Sequence, residues 1–400
     1  MDATARHAIR ESTDWSRVAF GVAIGAFVAY QQFKLPPILP DFLARYPHSP
    51  ETAAGFMSVY ALVGLVASAP LGRKLDNRLG QGMAALFALT VIGITVALAA
   101  PQSSALMLLS RGLEGLAFAI GAIAGPTIAA AAAKPRDLPL VTGLIAGWIP
   151  TGQILGALTA LAFPDWRWLW WTALAAAAAL ALWAWRLLGG RSNERRAERP
   201  PASPLDAAAR RRLALAGGTF LLWSAQYFAF MTWLTQYLTT ELALDRATAV
   251  LAYLLPVVVL LGFNLLTGWG LRHRLPLIPA LVTMLIAQAA VWWAQPWLSG
   301  GLGILGLVVY GIGAGVTPTC LFHLPHAITR GTAGTAAFGM LMTGRNIGVF
   351  TGPILLAWLI GHAAFDLDFG WTGGARVMAC VTLAAALVAL LLGRSLSRRH

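Results

Sequence analysis

Four ionisable side chains interrupt the long apolar stretches of this chain: Lys34, Arg111, Glu114 and Arg345. If such a stretch lies within a bilayer, a charged group near its centre costs at least about 2.5–3.5 kcal/mol. Each of the four therefore needs either a partner or a task, and any chemistry of the chain is expected to involve them.

Arg111 and Glu114 lie three residues apart, which places both on one face of a helix, close enough to neutralise each other. Two interpretations stay open. The residues form a structural ion pair, or they couple protons to the working cycle through a change in the protonation of Glu114.

Lys34 and Arg345 have no obvious partner on their own predicted helices. Arg345 lies roughly 20 Å along its helix, near the midplane of a bilayer, where a charge is most unfavourable. Lys34 lies about 24 Å along the first helix, so its ammonium could instead extend to the outer interface. Because a guanidinium matches carboxylates and similar planar oxyanions, two unpaired cations favour a small anionic ligand.

Other chemistries find no support in the sequence. His323 and His326 flank Pro325 without a third or fourth ligand nearby, which favours a polar helix end over a metal site, with a proton role as the remaining alternative. Cys320 and Cys380 lie inside predicted helices, so we expect no disulfide. No nucleotide-binding loop, paired carboxylates or HExxH motif occurs. We predict no metal, no cofactor and no enzymatic activity.

The elements that carry these residues are transmembrane helices. The chain is 58% hydrophobic and only 11% charged, which excludes a soluble domain of 400 residues. Its apolar runs are continuous rather than alternating, which excludes a membrane barrel. We predict twelve helices in an all-α integral membrane fold, near residues 18–40, 51–72, 80–100, 104–132, 138–162, 166–189, 212–240, 246–271, 275–297, 300–325, 332–361 and 371–393.

The distribution of charge predicts the orientation. Most of the 29 Lys and Arg residues fall on one side once the twelve helices are drawn, and the positive-inside rule makes that side the cytoplasm. We expect a multi-pass protein of the bacterial inner membrane with both termini cytoplasmic. The net charge of +13 then reflects basic residues on the cytoplasmic side. It does not indicate a nucleic-acid surface, because such a surface needs exposed aromatic residues among the basic ones, and the aromatic residues here lie at membrane depth.

The two halves of the chain resemble each other. A polar segment over residues 189–212 separates residues 1–188 from 213–400, and an offset of 192 residues aligns their motifs without a gap. An even number of helices makes these six-helix halves parallel repeats. The aligned glycines permit close approach of helix backbones, either for rocking contacts or for static packing. They are Gly147, Gly152 and Gly156 in the first half and Gly339, Gly344 and Gly348 in the second.

Three motifs resemble the major facilitator superfamily over essentially the whole chain. GRKLDNRLGQG, residues 72–82, is similar to the cytoplasmic loop motif of the family, with an extra residue between Asp76 and Gly80. RGLEG in the fourth predicted helix and GWIPTGQILG in the fifth are similar to two further family motifs. The resemblance implies a conformational latch at Gly72, Asp76 and Arg78. The segments LPLVTGLIAGWIPTG and AFMTWLTQYL resemble the cyanate-transporter branch most closely.

The resemblance implies that helices 1, 5, 7 and 11 line a central cavity, and polar side chains concentrate on these helices. The candidate substrate-binding residues are Tyr30, Gln31, Lys34, Trp148, Gln153, Gln226, Tyr227, Arg345 and Asn346. We expect a monomeric secondary active transporter, with Arg111 and Glu114 in proton coupling, that moves a small anion across the inner membrane by alternating access. The alternative is proton-coupled efflux of drugs or metabolites.

Overall fold

A computed structural model describes residues 12–75, 79–134, 137–188, 205–329, 335–361, 363–364, 367–368 and 370–397. Almost all of them are helical. The helices of the first half are α1 (Trp15–Phe33), α2 (Leu39–Arg45), α3 (Pro50–Leu75), α4 (Leu79–Ala99), α5 (Ser104–Ala132), α6 (Leu138–Ala146), α7 (Trp148–Ala162) and α8 (Arg167–Leu188). Those of the second half are α9 (Ala207–Thr240), α10 (Arg246–Arg272), α11 (Leu277–Ala294), α12 (Gly300–Thr329), α13 (Thr335–Gly361) and α14 (Gly370–Ser397). Two residue pairs, β1 (Ala363–Ala364) and β2 (Leu367–Asp368), form a short antiparallel ladder before α14.

The all-helical fold predicted from hydropathy is confirmed, and each of the twelve predicted segments is helical. Among the described residues, nine helical stretches are long and apolar enough to cross a membrane. The helix α9 begins at Ala207, within the polar segment that the sequence analysis assigned to the linker, and Asp206 caps it by accepting a hydrogen bond from Ala209 N. The division of the chain into two domains stays a prediction.

The first predicted helix, over residues 18–40, is not continuous. The helix α1 ends at Phe33, a 3₁₀ turn covers Pro36–Ile38, and the short helix α2 follows. Proline has no backbone N–H and its ring clashes with the preceding helical turn, so Pro36 and Pro37 end α1 in the middle of the apolar stretch.

The fifth predicted helix is also broken. Its two parts, α6 and α7, meet at Gly147, which serves as C-cap of one and N-cap of the other. Glycine weakens a helix because it has the greatest backbone freedom to lose, so a break at this position is physically reasonable.

Glycine contacts confirm the predicted close approach at several positions. A Cβ atom added to Gly152 of α7 would lie 2.4 Å from the backbone nitrogen of Tyr30 in α1. One added to Gly348 of α13 would lie 2.1 Å from the carbonyl oxygen of Leu221 in α9. The prediction is wrong for Gly339, because no described atom lies within 4 Å of its added Cβ atom. Small residues thus bring α7 against α1 and α13 against α9.

The two halves meet along two helix pairs, α3 with α13 and α7 with α10. They also meet at the far end, which we define as the end of the bundle that holds the last turns of α1 and α9 and the first turn of α10. There Arg246 of α10 lies 2.6 Å from the Asp41 carboxylate of α2 and donates hydrogen bonds to the carbonyls of Ala160 and Phe163. Thr235 of α9 donates a further hydrogen bond to the carbonyl of Pro36.

Candidate functional site

A buried charged triad lies in the first half and consists of Lys34, Arg111 and Glu114. Lys34 Nζ lies 2.6 Å from Glu114 Oε1, and Arg111 Nη1 lies 2.5 Å from Glu114 Oε2. The hydroxyl of Tyr60 donates to the same Oε2 atom over 2.8 Å. All three charged side chains are fully buried. The predicted pairing of Arg111 with Glu114 is confirmed.

The broken end of α1 explains the position of Arg111. Because α1 stops at Phe33, the carbonyls of its last turn lose their helical partners. Arg111 Nη1 donates to the carbonyl of Gln31 and Nη2 to that of Gln32, both over 2.8 Å, while Nε donates to the carbonyl of Phe56 in α3. The guanidinium therefore replaces helical hydrogen bonds at the break and joins α1, α3 and α5.

The expectation that Lys34 has no partner is wrong, and so is the alternative that it extends to the membrane interface. Its ammonium donates to Glu114 and, over 2.7 Å, to Gln31 Oε1, and it lies 4.4 Å from the centroid of the Trp170 ring. The bend after α1 turns this side chain into the first half, because Lys34 is the C-cap of the helix. A buried ammonium needs such a carboxylate, and Glu114 supplies it.

A second set of polar residues, the interface group, lies where α7 meets the second half. It consists of Gln153, Tyr227, Arg345 and Asn346. Tyr227 Oη donates to Gln153 Oε1 over 3.3 Å and so connects the two halves. Arg345 is 8% exposed, donates to Asn346 Oδ1 over 3.1 Å, and lies 5.5 Å from the Phe228 ring centroid. Within the described parts of the chain, Arg345 forms no ion pair.

The interface group includes hydrogen-bonding atoms without partners. Gln153 Nε2 and Tyr253 Oη of α10 are buried, and neither has a hydrogen-bond partner in the described structure apart from the weak contact between these two side chains. The sequence analysis missed Tyr253, because α10 was not among the helices that the family resemblance placed around the cavity. The only feature of the sequence that could have indicated Tyr253 is that it is a single tyrosine within an apolar run.

Besides Gln31 and Lys34, which lie in the first half at Glu114, three further predicted binding residues lie apart from the interface group. Tyr30 points into the first half, where its hydroxyl donates to the Leu169 carbonyl of α8 over 2.9 Å. Trp148 stacks on an aromatic ring of α5. Gln226 points into the second half, where Tyr310 donates to its Oε1 atom over 2.8 Å. A helical position specifies which helix carries a residue, but not which face it occupies.

The predicted latch is described only in part. Gly72 lies near the end of α3. Asp76 and Arg78 lie outside the described residues, so the latch stays a prediction.

The charges of the triad and Arg345 do not balance. Three cations and one carboxylate give a formal charge of +2 among these four buried side chains. A buried charge without a partner is unfavourable, so the arrangement favours a negatively charged ligand over a cation.

Comparison with known proteins gives consistent results at the level of family and fold. A family model described as Major Facilitator Superfamily matches residues 22–353. No curated protein sequence matches the chain.

Three solved transporter structures share the fold. A bacterial homologue of the human lysosomal transporter Spinster, inward-facing and unoccupied, aligns with a TM-score of 0.75 and 16% identity, covering 97% of this chain and 99% of its own. A D-xylose–proton symporter aligns with a TM-score of 0.70 and 14% identity, over 94% and 97% of the two chains. The nucleoside transporter NupG aligns with a TM-score of 0.72 and 14% identity, over 94% and 99%.

These identities show the fold alone, whereas the family model covers most of the chain. The cyanate-transporter branch is not confirmed. The helices, the buried charges between them and the family match together describe a multi-pass membrane protein that carries small molecules. The chain belongs to the major facilitator superfamily.

Proposed function

We propose that the chain is a secondary active transporter of a small anion. The observation that carries this proposal is Arg345, whose guanidinium is buried beside the contact between the halves and forms no ion pair within the described structure. A permanent positive charge in this position is costly unless an anion compensates it during part of the working cycle.

The neighbours of Arg345 favour an oxyanion. Tyr227 donates a hydrogen bond to Gln153, whose buried Nε2 donor has no partner among the described residues apart from the neighbouring Tyr253 hydroxyl. The Tyr253 hydroxyl offers another donor beside the same amide. A carboxylate or similar planar oxyanion would accept hydrogen bonds from the guanidinium, the amide and the hydroxyl. Because Gln153 belongs to the first half and Arg345 to the second, such a ligand would touch both.

Alternating access follows from this position of the ligand. The contacts of Arg246 and Thr235 join the halves at the far end. If both termini are cytoplasmic, as the positive-inside rule predicts, the far end faces outward and the structure is closed to that side. Rocking of the halves about α3–α13 and α7–α10 would expose the site to each side in turn. We propose that a monomer in the bacterial inner membrane does this without ATP.

The charged triad is our candidate for proton coupling. The Glu114 carboxylate receives donors from Arg111 on α5, from Tyr60 on α3 and from Lys34 at the end of α1. Loss of its negative charge would weaken the contacts of three helices at once. Protonation of Glu114 would therefore be able to change how α1 packs in the first half.

Proton-coupled efflux of drugs or metabolites remains the second candidate. It is less well supported, because a cationic drug would prefer an acidic cavity, whereas the buried charges here are positive in sum. Glu114 already has two cationic partners.

A thermal-shift screen of the purified protein tests the proposal. The ligands are small carboxylates, inorganic oxyanions, neutral metabolites and cationic drugs. We expect certain carboxylates or oxyanions to raise the melting temperature of the wild type, and Arg345→Gln to abolish this shift. The same anion, radiolabelled, should show counterflow in proteoliposomes of the wild type and not of the variant.

Arg376→Gln is the matched control, because Arg376 is an exposed arginine of α14 that stacks on Trp293. It should retain the anion-dependent shift. Stabilisation by cationic or neutral compounds alone would contradict the anion proposal and favour efflux. Unchanged anion affinity in Arg345→Gln would make Arg345 structural.

A further inference from the structure

An apolar cavity of about 370 Å³ lies inside the second half, away from the interface group. It is enclosed by α9, α10, α11 and α12 at the far end of the bundle. Phe230, Leu234, Val291 and Leu307 form part of its wall. Its volume falls in the range of small-molecule sites, and much smaller apolar cavities bind hydrocarbons. The transport cycle proposed above does not use it.

The cavity opens toward lipid. Ile304 lines it and is nevertheless 59% exposed, so the cavity reaches the surface between α10 and α12. Leu251 and Leu302, each next to a lining residue, are 57% and 62% exposed. In a membrane protein such exposed leucines contact acyl chains, which are as apolar as they are.

One wall of the cavity carries a buried polar atom without a partner. Gln295 lines the cavity and is 8% exposed, and its Oε1 atom has no hydrogen-bond partner in the described structure. A buried acceptor is unfavourable until a donor reaches it. Trp293 and Trp297, two residues to either side, are half or more exposed. Exposed tryptophans at a helix end mark the interface, so Gln295 lies at the level of lipid headgroups.

The internal repeat explains why space exists at this place in the second half. At the offset of 192 residues, four large residues of the triad region align with four small residues that line the cavity. The aligned pairs are Phe56 with Thr248, Tyr60 with Ala252, Arg111 with Gly303, and Glu114 with Gly306. The first half fills this place with buried charges and rings, whereas the small residues of the second half leave an apolar cavity there.

We propose that the cavity holds one acyl chain of a bilayer phospholipid, and that the Gln295 side chain turns so that its buried Oε1 atom accepts a hydrogen bond from the lipid headgroup. The acyl chain packs against the apolar wall, and an ammonium or hydroxyl of the headgroup donates a hydrogen bond to the unpaired acceptor. The site is separate from the anion site, so it does not depend on the proposed substrate.

Photolabelling in nanodiscs tests this proposal. The probe is a phosphatidylethanolamine with a diazirine in its acyl chain, and labelled peptides are mapped by mass spectrometry. We expect labelling of Ala252, Gly306 and Leu307 in the wild type. Ala252→Phe, which fills the cavity, should abolish labelling of Gly306 and Leu307. Leu251→Phe changes the neighbouring lipid-facing residue and should leave the labelling intact. Labelling confined to exposed residues such as Leu251 and Leu302 in the wild type would overturn the proposal, whatever the variants do.

The headgroup contact is tested with the same diazirine chain on phosphatidylcholine, whose headgroup has no donor. The wild type should be labelled more strongly by the ethanolamine lipid, and Gln295→Leu should remove this preference while retaining labelling of the cavity. Equal labelling of the wild type by both lipids would overturn the role of Gln295.

Discussion

Glu114 is the one fully buried carboxylate among the described residues, and two cations depend on it. Arg111 has further support, because it donates to three backbone carbonyls. Lys34 has only the Gln31 amide and the Trp170 ring besides Glu114. Removing one partner of a buried ion pair is more harmful than removing both, because an uncompensated charge remains. The triad should therefore respond unequally to the loss of its members.

We predict that Glu114→Gln destabilises the protein by about 3–5 kcal/mol, because it leaves two buried cations without a counter-charge. Lys34→Met should cost far less, since the remaining pair of Glu114 and Arg111 is neutral. Thermal unfolding of the purified variants in one detergent measures the order. A lower melting temperature for Lys34→Met than for Glu114→Gln would contradict our description of the triad.

The sequence predicted part of this site. The contact between Arg111 and Glu114 follows from a spacing of three residues on a helix. The contact between Lys34 and Glu114 joins residues 80 positions apart, and helical periodicity carries no information about such pairs. Gln226 was assigned to the cavity by its helix, yet its amide faces Tyr310 inside the second half.

At the scale of elements, hydropathy located the long helices among the described residues, because the length of an apolar run is set by the bilayer. It did not locate the ends of α1 or of α6, because a few prolines or glycines lower the hydropathy of a long apolar run too little to interrupt it. These breaks matter for the site, since the end of α1 frees the carbonyls that Arg111 binds and turns Lys34 toward Glu114.

Helix pairing depends on glycines whose importance can be tested individually. Gly348→Ala should destabilise the protein by about 1–3 kcal/mol or more, because its Cβ atom would overlap the carbonyl oxygen of Leu221 in α9. Gly262→Ala in α10 is the matched control, because its added Cβ atom meets no described atom within 4 Å. Alanine there should be neutral or stabilise by up to about 1 kcal/mol through helix propensity. Chemical denaturation in detergent measures both, and equal effects would refute the close packing of α13 on α9.

At the scale of the whole molecule, the repeat predicted two related halves but not which surfaces of the halves pack against each other. Their relative position depends on the helix pairs α3–α13 and α7–α10 and on contacts at the far end such as that of Asp41 with Arg246, none of which the sequence analysis predicted. Contacts between distant segments of a chain are invisible to composition and periodicity. Some aligned positions of the two halves carry different residues, such as Glu114 and Gly306. These differences point to function, because the packing of two similar halves does not require them.

Arg246 is the far-end contact whose loss should change the conformational equilibrium most. Its ion pair with Asp41 is partly exposed and contributes at most about 1 kcal/mol. Its hydrogen bonds to the carbonyls of Ala160 and Phe163 involve a charged donor at the C-terminal end of α7, where a cation is also favoured by the helix dipole. We predict that Arg246→Gln raises the population open at the far end by roughly tenfold, which corresponds to about 1.4 kcal/mol.

Distances between spin labels at two exposed far-end positions, Arg45→Cys and Glu241→Cys, measure this population in a background where exposed Cys380 is replaced by serine. The matched control is Arg167→Gln, because Arg167 pairs with Asp165 within the first half and does not bridge the halves. A longer distance component should grow in Arg246→Gln and stay at the wild-type level in the control. If both variants gave the wild-type distribution, closure of the far end would rest on the hydrogen bond from Thr235 Oγ1 to the Pro36 carbonyl rather than on Arg246.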